Sequence, residues 1–335
     1  MSKNKVLPIL DRKRNNNFKK LNLIFNDKDI ISLFLKQSKN LSLEETKKVK
    51  KYYSSTDRDI IINAIKYNKI TPFAAHTFID LDCDKFFWKS KHEKFVERNT
   101  KIKSLLDSIF TKIETYSCKS LTLTENFAVV LSSNSCIGCF SSGDVDLSAD
   151  LNDAKKIQAC LKEFNFYSKD QPDRIGEYSG QSMQFYNSDI IDGGFWINVI
   201  WKPVTRAFLI QRKYELRLSK DRISNKKLIS NTNIKVLNDT SLMYFCALHI
   251  ASGHYFTFSP GPRLYVDIDR LARSSNINWE DIISWEQEDN AGIRISMVLY
   301  LSYKFLNTPI PKRVFKRLLE NNRNLKLINY LFNFR

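Results

Sequence analysis

The decapeptide SSGDVDLSAD, residues 141–150, sets two aspartates one residue apart directly after a glycine. Its short apolar and β-branched neighbours read as a strand, in which residues i and i+2 share a face, so Asp144 and Asp146 point the same way. Two carboxylates that close repel each other unless a cation sits between them. An all-oxygen donor set suits a hard ion such as magnesium or manganese. Upstream, the small and hydroxylated residues of SSNSCIGCFSSG (132–143) let backbone N–H groups and side-chain oxygens approach a triphosphate.

Other reactive residues stand in weaker patterns. Cys136 and Cys139 have the C-x-x-C spacing of a zinc or redox pair, but no second C-x-x-C and no nearby histidine pair completes it, so a tight turn is the expectation. Asp267 and Asp269 repeat the D-x-D spacing within a helical pattern, where i and i+2 diverge, and read as a helix N-terminal region. His249 and His254 are five apart, off the i, i+4 spacing of a helical metal pair, and His249 reads as a packed or hydrogen-bonded helix residue. Lys202 and Arg206 flank an aromatic strand and have the reach to meet a phosphate.

The elements that must position these groups change character twice. Residues 1–117 read as helices: SLEE at 42–45 has capping-box spacing with Ser42 as N-cap, and TPFAAHTF puts Pro72 at a helix start behind Thr71. From about 84 to 117 the apolar residues Ile102, Leu105, Leu106, Ile109, Phe110 and Ile113 recur at three and four, one stripe facing a core. The stretches 121–133, 144–150, 182–188, 195–201 and 206–216 are then short, aromatic and β-branched, as strands are. DGG at 192–194 is a turn signal that joins two of them as a hairpin, and residues 152–164 form one amphipathic helix capped by Asn152. From about Asn238 the pattern is helical again. The expected organisation is an N-terminal helical region (1–117), an α/β core (118–237) and a C-terminal helical region (238–335).

The formal charge of +17 favours polyanionic partners, whether nucleotides, nucleic acid or anionic lipid. A Lys-, Asn- and Ile-rich composition that loads every solvated face with lysine accounts for it equally. No apolar run approaches the length of a membrane span. The run VLPIL near the N-terminus is too short for a signal-peptide core, and the six scattered cysteines read as reduced thiols. A cytoplasmic protein is expected.

Residues 132–147, SSNSCIGCFSSGDVDL, resemble the signature of DNA polymerase β-type nucleotidyltransferases, in which Gly-Ser ends a first strand and a D-x-D follows. The wider chain is similar to the bacterial family labelled "uncharacterised nucleotidyltransferase". DRDIIINAIKYNKITPFAAHTF resembles that family's A-x-x-H-x-x-x-P-L segment, and VIWKP sits where a strand ends in His-Trp. MYFCALHIASGHYFTFSPGPRLYVDIDRLARSSNINWEDI resembles its L-x-x-H…D-L-x-x-L…D-W block, and NTPIP its closing L-G-x-P-L-P, so the likeness spans most of residues 57–311.

The resemblance implies an α+β fold, a small mixed-sheet nucleotidyltransferase core flanked by helical regions. It implies transfer of a nucleotidyl group from a nucleoside triphosphate, with Mg2+ or Mn2+ held by Asp144 and Asp146. Ser132, Ser133, Gly143 and Lys202 become the nucleotide-binding candidates, with Ser132 in place of the usual glycine. The third carboxylate of such sites falls on Asn198, an amide that can ligate a metal but not take a proton, with Asp192 as a substitute. Ile200 stands where a histidine is expected before Trp201. The acceptor is left open as a small molecule, a protein or tRNA. Two rivals stand beside the enzyme: a nucleotide-binding pseudoenzyme or scaffold, for which Asn198 speaks, and an RNA-directed or RNA-binding protein, for which the charge speaks.

Overall fold

The computed structural model describes residues 28–168, 182–189, 194–201, 207–209, 212–214, 222, 226–252, 263–274, 276–289, 291 and 293–319. Helices come first: α1 (Lys28–Leu35), α2 (Leu43–Ser55), α3 (Arg58–Tyr67), α4 (Thr71–Asp80) and α5 (Lys85–Thr115). The capping box starts α2 as its sequence predicts: Ser42 Oγ accepts from the Glu45 N–H at 3.1 Å, and Glu45 Oε2 accepts from the Ser42 N–H at 2.9 Å. Pro72 lies in the first turn of α4, which buries Phe73, Ala74, Ala75 and Phe78. The long α5 buries Ile102, Leu106, Ile109, Phe110 and Ile113 along one stripe, while Leu105 lies at its margin.

The period then switches. β1 (Thr122–Thr124) leads into α6 (Glu125–Ser132), followed by β2 (Asp144–Ser148), α7 (Ala154–Glu163), β3 (Tyr167–Ser168), β4 (Ser182–Asn187) and β5 (Phe195–Ile200). β6 (Ala207–Leu209) and β7 (Arg212–Tyr214) pair only with each other, and β8 (Lys226–Leu228) and β9 (Lys235–Leu237) return to the main sheet. That sheet is mixed, in the order β3-β4-β5-β2-β1-β9-β8. Helices follow, α8 (Asp239–Ser252), α9 (Arg263–Ser274), α10 (Trp279–Glu288), α11 (Ile293–Leu306) and α12 (Lys312–Leu319), so the α+β arrangement expected is the one observed among the described residues. Among the described residues no helix is long and apolar enough to cross a membrane.

Three local expectations need correction. The stretch 121–133 is not one strand: it leaves the sheet after Thr124, and residues 125–132 are helical. Phe127, Ala128, Val129 and Val130 are all buried there, with α8 and α9 packed against them, and an apolar run enclosed on all sides has the same composition as a strand. Asn152 does not cap α7; a 3₁₀ turn over Leu151–Asp153 precedes it and Asp153 takes the cap position. The Asp153 carboxylate accepts from Ser120 Oγ at 2.6 Å and Lys156 Nζ at 3.1 Å. Within the stretch read as one strand, Ala207–Leu209 and Arg212–Tyr214 are two short strands paired antiparallel. β4 and β5 do pair antiparallel as the DGG signal implies, with Gly194 at φ 78 beside Tyr186; residues 190–193 lie outside the described set.

The core side of the central strands is apolar: Val145, Leu147, Phe195, Ile197 and Val199 are buried. Leu147 is fully enclosed, so Leu147→Ala should cost about 2–5 kcal/mol, the transfer term plus the cavity it leaves. Urea unfolding of the variant against the parent checks this, and a loss within error of zero would show that β2 does not lie over the core.

Candidate active site

Alternation along β2 sends Val145 and Leu147 into the core and leaves Asp144 and Asp146 together on the other face, partly buried. β5 runs parallel beside it, in a register that sets Trp196 against Asp144 and Asn198 against Asp146. Asn198 Nδ2 donates to Asp144 Oδ2 at 3.1 Å and to Asp146 Oδ1 at 3.0 Å, one amide bridging both carboxylates. Ser142 Oγ donates to Asp144 Oδ1, and Thr124 Oγ1, across on β1, donates to the Asp146 carbonyl at 3.0 Å. The Asn198 Oδ1 atom is buried with no hydrogen-bond partner.

A third carboxylate stands close by, though not on β5. Glu125 follows the last residue of β1, is buried, and holds φ at 60, a left-handed conformation uncommon outside glycine. His249 Nδ1 of α8 lies 3.0 Å from Glu125 Oε1, while Oε2 is buried without a partner. Burial first, then the charges of Glu125 and Asp144, push the Asp146 carboxyl well above the usual carboxylate range. Burial works against a charge on His249, but the carboxylates of Glu125, Asp146 and Asp144 outweigh it and hold the imidazole at about 9.

Cations flank the acidic pair. Arg98 Nη2 of α5 donates to the Ser142 carbonyl at 2.7 Å, and Arg263 Nη1 of α9 donates to Ser141 Oγ at 3.0 Å. Burial lowers the pKa of both guanidinium groups; the Asp144 charge pulls Arg98 back up, and Asp267 first, then Asp144, pull Arg263 back up. A cleft runs between α6, α9 and the loop before β2, lined by Asn126, Phe140, Ser141, Ser142, Arg263 and Arg270. Asp267 also lines it; burial raises its carboxyl to about 7, so it carries only part of a negative charge near neutrality. Two arginines, hydroxyls and the first turn of a helix make this wall suited to an anion.

The structure therefore brings Asp144, Asp146 and Asn198 together. It puts Ser132 and Ser133 at the C-terminal end of α6 rather than at a strand end, and Ser133 Oγ donates to its own helix at Val129 O, 2.7 Å. Gly143 is exposed, with open space where a Cβ would go. Lys202, Arg206, Asp192 and His254 lie outside the described residues. Asp267 and Asp269 fall within α9, as expected, where Asp269 pairs with Arg273 at 2.9 Å. Sequence reasoning missed Glu125, Arg98 and Arg263. For Glu125 a signal existed: the polar break TEN inside LTLTENFAVVL marks where the strand stops.

A family model described as "uncharacterised nucleotidyltransferase" matches residues 54–307 of the chain. No curated protein and no solved structure matches it significantly.

The Glu125–His249 pair has a pH signature. A histidine whose folded-state pKa lies above its ordinary value of about 6.5 stabilises the fold below that pH, and the contribution is lost as pH rises through about 9. In metal-free protein His249→Gln should therefore lower the melting temperature at about pH 6 and make a smaller difference at about pH 10. Glu125→Gln should bring the His249 titration, followed by NMR, back toward neutrality. A melting-temperature gap constant across that range would show that the pair is not ionic.

Proposed function

Since the chain belongs to the uncharacterised nucleotidyltransferase family, we propose that it is a cytoplasmic enzyme of the DNA polymerase β type that moves a nucleotidyl group from a nucleoside triphosphate to an acceptor hydroxyl, with Asp144 and Asp146 at its centre. The observation that carries this reading is the convergence of Asp144, Asp146 and Asn198 on adjacent parallel strands.

The donor set fits magnesium or manganese. Two carboxylates offer oxygens, and a half-turn of the Asn198 amide replaces its N–H donor with Oδ1, the atom now buried without a partner. Such an ion, when bound, neutralises charge on the triphosphate and on the phosphoryl group in transfer. The chain's own residues do the rest. Arg263, Arg98, Ser141, Ser142 and the first turn of α6 bind phosphate oxygens, and the open backbone at Gly143 leaves room for them. Trp196, whose ring centroid lies 4.6 Å from that of Tyr186, presents an aromatic surface beside Asp144 for the base.

The acceptor oxygen attacks the α-phosphate in line, pyrophosphate leaves, and the acceptor proton must go to a base. Asn198 has no basicity to offer. Glu125 is the buried carboxylate whose charge acts on Asp146 more strongly than that of Asp144, and its Oε2 is free to take the proton while His249 holds Oε1. The backbone strain at Glu125 supports a role at the site, since strained conformations persist where function over-determines them. The +17 charge makes RNA a candidate acceptor beside proteins and small molecules. A second reading, a nucleotide-binding pseudoenzyme, is favoured by the amide at position 198 itself.

Single-turnover transfer from α-labelled triphosphates separates the readings. Asp144→Asn and Asp146→Asn should each abolish magnesium-dependent triphosphate binding with the fold intact. Glu125→Gln should keep binding and slow transfer by about a hundred- to ten-thousandfold, the usual worth of general-base help. Asn198→Asp should raise metal affinity. A parent that binds nucleotide and transfers nothing to any acceptor in cell extract, beside an Asn198→Asp variant that does transfer, would identify the pseudoenzyme.

A further inference from the structure

We infer that His76, His92, Cys136 and Cys139 form a zinc site that clips the loop entering the D-x-D strand onto the N-terminal helices. The four residues come from three places: His76 from α4, His92 from the first third of α5, and the cysteines from the turn after α6. One ligand atom from each lies within 4.8 Å of every other, and His92 Nε2 stands 3.2 Å from Cys136 Sγ. Zinc held by two sulfurs at about 2.3 Å and two nitrogens at about 2.0–2.1 Å spaces its ligands roughly 3.3–3.8 Å apart in a tetrahedron, so small side-chain rotations close the cage.

The surroundings are built for it. His76 Nδ1 faces Asp80 Oδ2 at 3.3 Å, which turns Nε2 toward the cysteines and supplies the carboxylate that metal-bound histidines commonly have behind them. Gly138, between the cysteines, lets His92 lie against the turn: a Cβ there would come within 2.6 Å of the imidazole. The turn itself is pinned, with Cys139 N–H donating to Cys136 O at 2.9 Å and Asn99 Nδ2 donating to the carbonyls of Ile137 and Phe140 at 2.7 and 2.9 Å. Two thiolates and two imidazoles select zinc over the hard ions suited to Asp144 and Asp146. Four protein ligands leave no open position, which marks the site as structural rather than catalytic. The tight turn expected of C-x-x-C is observed, and the histidine pair missing from its sequence neighbourhood comes in from α4 and α5.

The loop so held carries Ser141 and Ser142, the partners of Arg263, Arg98 and Asp144. The site is independent of the proposed transfer chemistry, and its test does not use activity. Full-length protein purified without added metal should contain one zinc per chain by elemental analysis. Cobalt exchanged into it should give the intense visible bands of tetrahedral cobalt with thiolate charge transfer. The Cys136→Ser/Cys139→Ser double variant should lose the zinc, Asp80→Asn should weaken zinc affinity by about 10- to 100-fold, and Asp144→Asn/Asp146→Asn should keep it. If the cysteine variant does not fold, the cobalt spectrum of the parent decides alone. Zinc retained without the cysteines would overturn the proposal. So would a parent that holds no zinc, shows no thiolate–cobalt band, and carries a Cys136–Cys139 disulfide after mild oxidation.

Discussion

Everything at the centre of this molecule follows from setting two carboxylates side by side on one strand. Their mutual repulsion, sharpened by partial burial, must be offset for the apo chain to fold. The solution lies in the register of β2 against β5, which delivers a neutral amide with two N–H donors to the gap. Asn198 uses those donors on Asp144 and Asp146, so the chain itself bridges the pair. An aspartate at the same place would have added a third negative charge and left the apo site more dependent on metal. What the chain gains in apo stability at position 198 it gives up in basicity.

That exchange moves attention to the end of β1. Thr124 is opposite Asp146 in the sheet, and the next residue turns out of it into α6 with a positive φ. A glycine would tolerate that turn at lower cost, and a buried glutamate there needs compensation. His249 supplies it from α8, in a pair whose elevated imidazole pKa shows how strongly the local field is negative. Arg98 and Arg263 add positive charge near Asp144 through the loop before β2. The helical regions are therefore part of the site: α5 contributes Arg98, α8 His249, and α9 Arg263 and Arg270.

Much of this was legible in the sequence, for identifiable reasons. The D-x-D, the period change into the sheet and out again, the capping box at Ser42 and the helix over 85–115 depend on local spacing, which sequence displays directly. The alignment of Asn198 with the acidic pair was legible only through the family resemblance, and its hydrogen bonds show the register to be real. The helical state of 125–132 was not legible, because an apolar run buried on every side has the same composition as strand or helix; only the polar break TEN marked where the strand stops. The cysteine–histidine cluster was hidden for another reason. Its halves lie 44 residues or more apart and meet only when α4 and α5 pack beside the turn after α6.

The two metal-suited clusters divide the labour by donor chemistry. Oxygen donors on β2 and β5 share the partly buried face of the sheet opposite the apolar core. Sulfur donors on the loop that precedes β2 meet nitrogen donors from α4 and α5, with His92 and Cys139 buried and four donors supplied by the chain. Between them runs a short stretch of backbone, Phe140 to Gly143, whose carbonyls and hydroxyls are tied to Asn99, Arg98 and Arg263. A stretch tied at so many points cannot re-aim Asp144 without breaking several hydrogen bonds at once. The aim of Asp144 is thus set by the hydrogen bonds that hold this loop to α5 and α9: the more closely the loop is held, the less the first carboxylate of the pair can yield to the second.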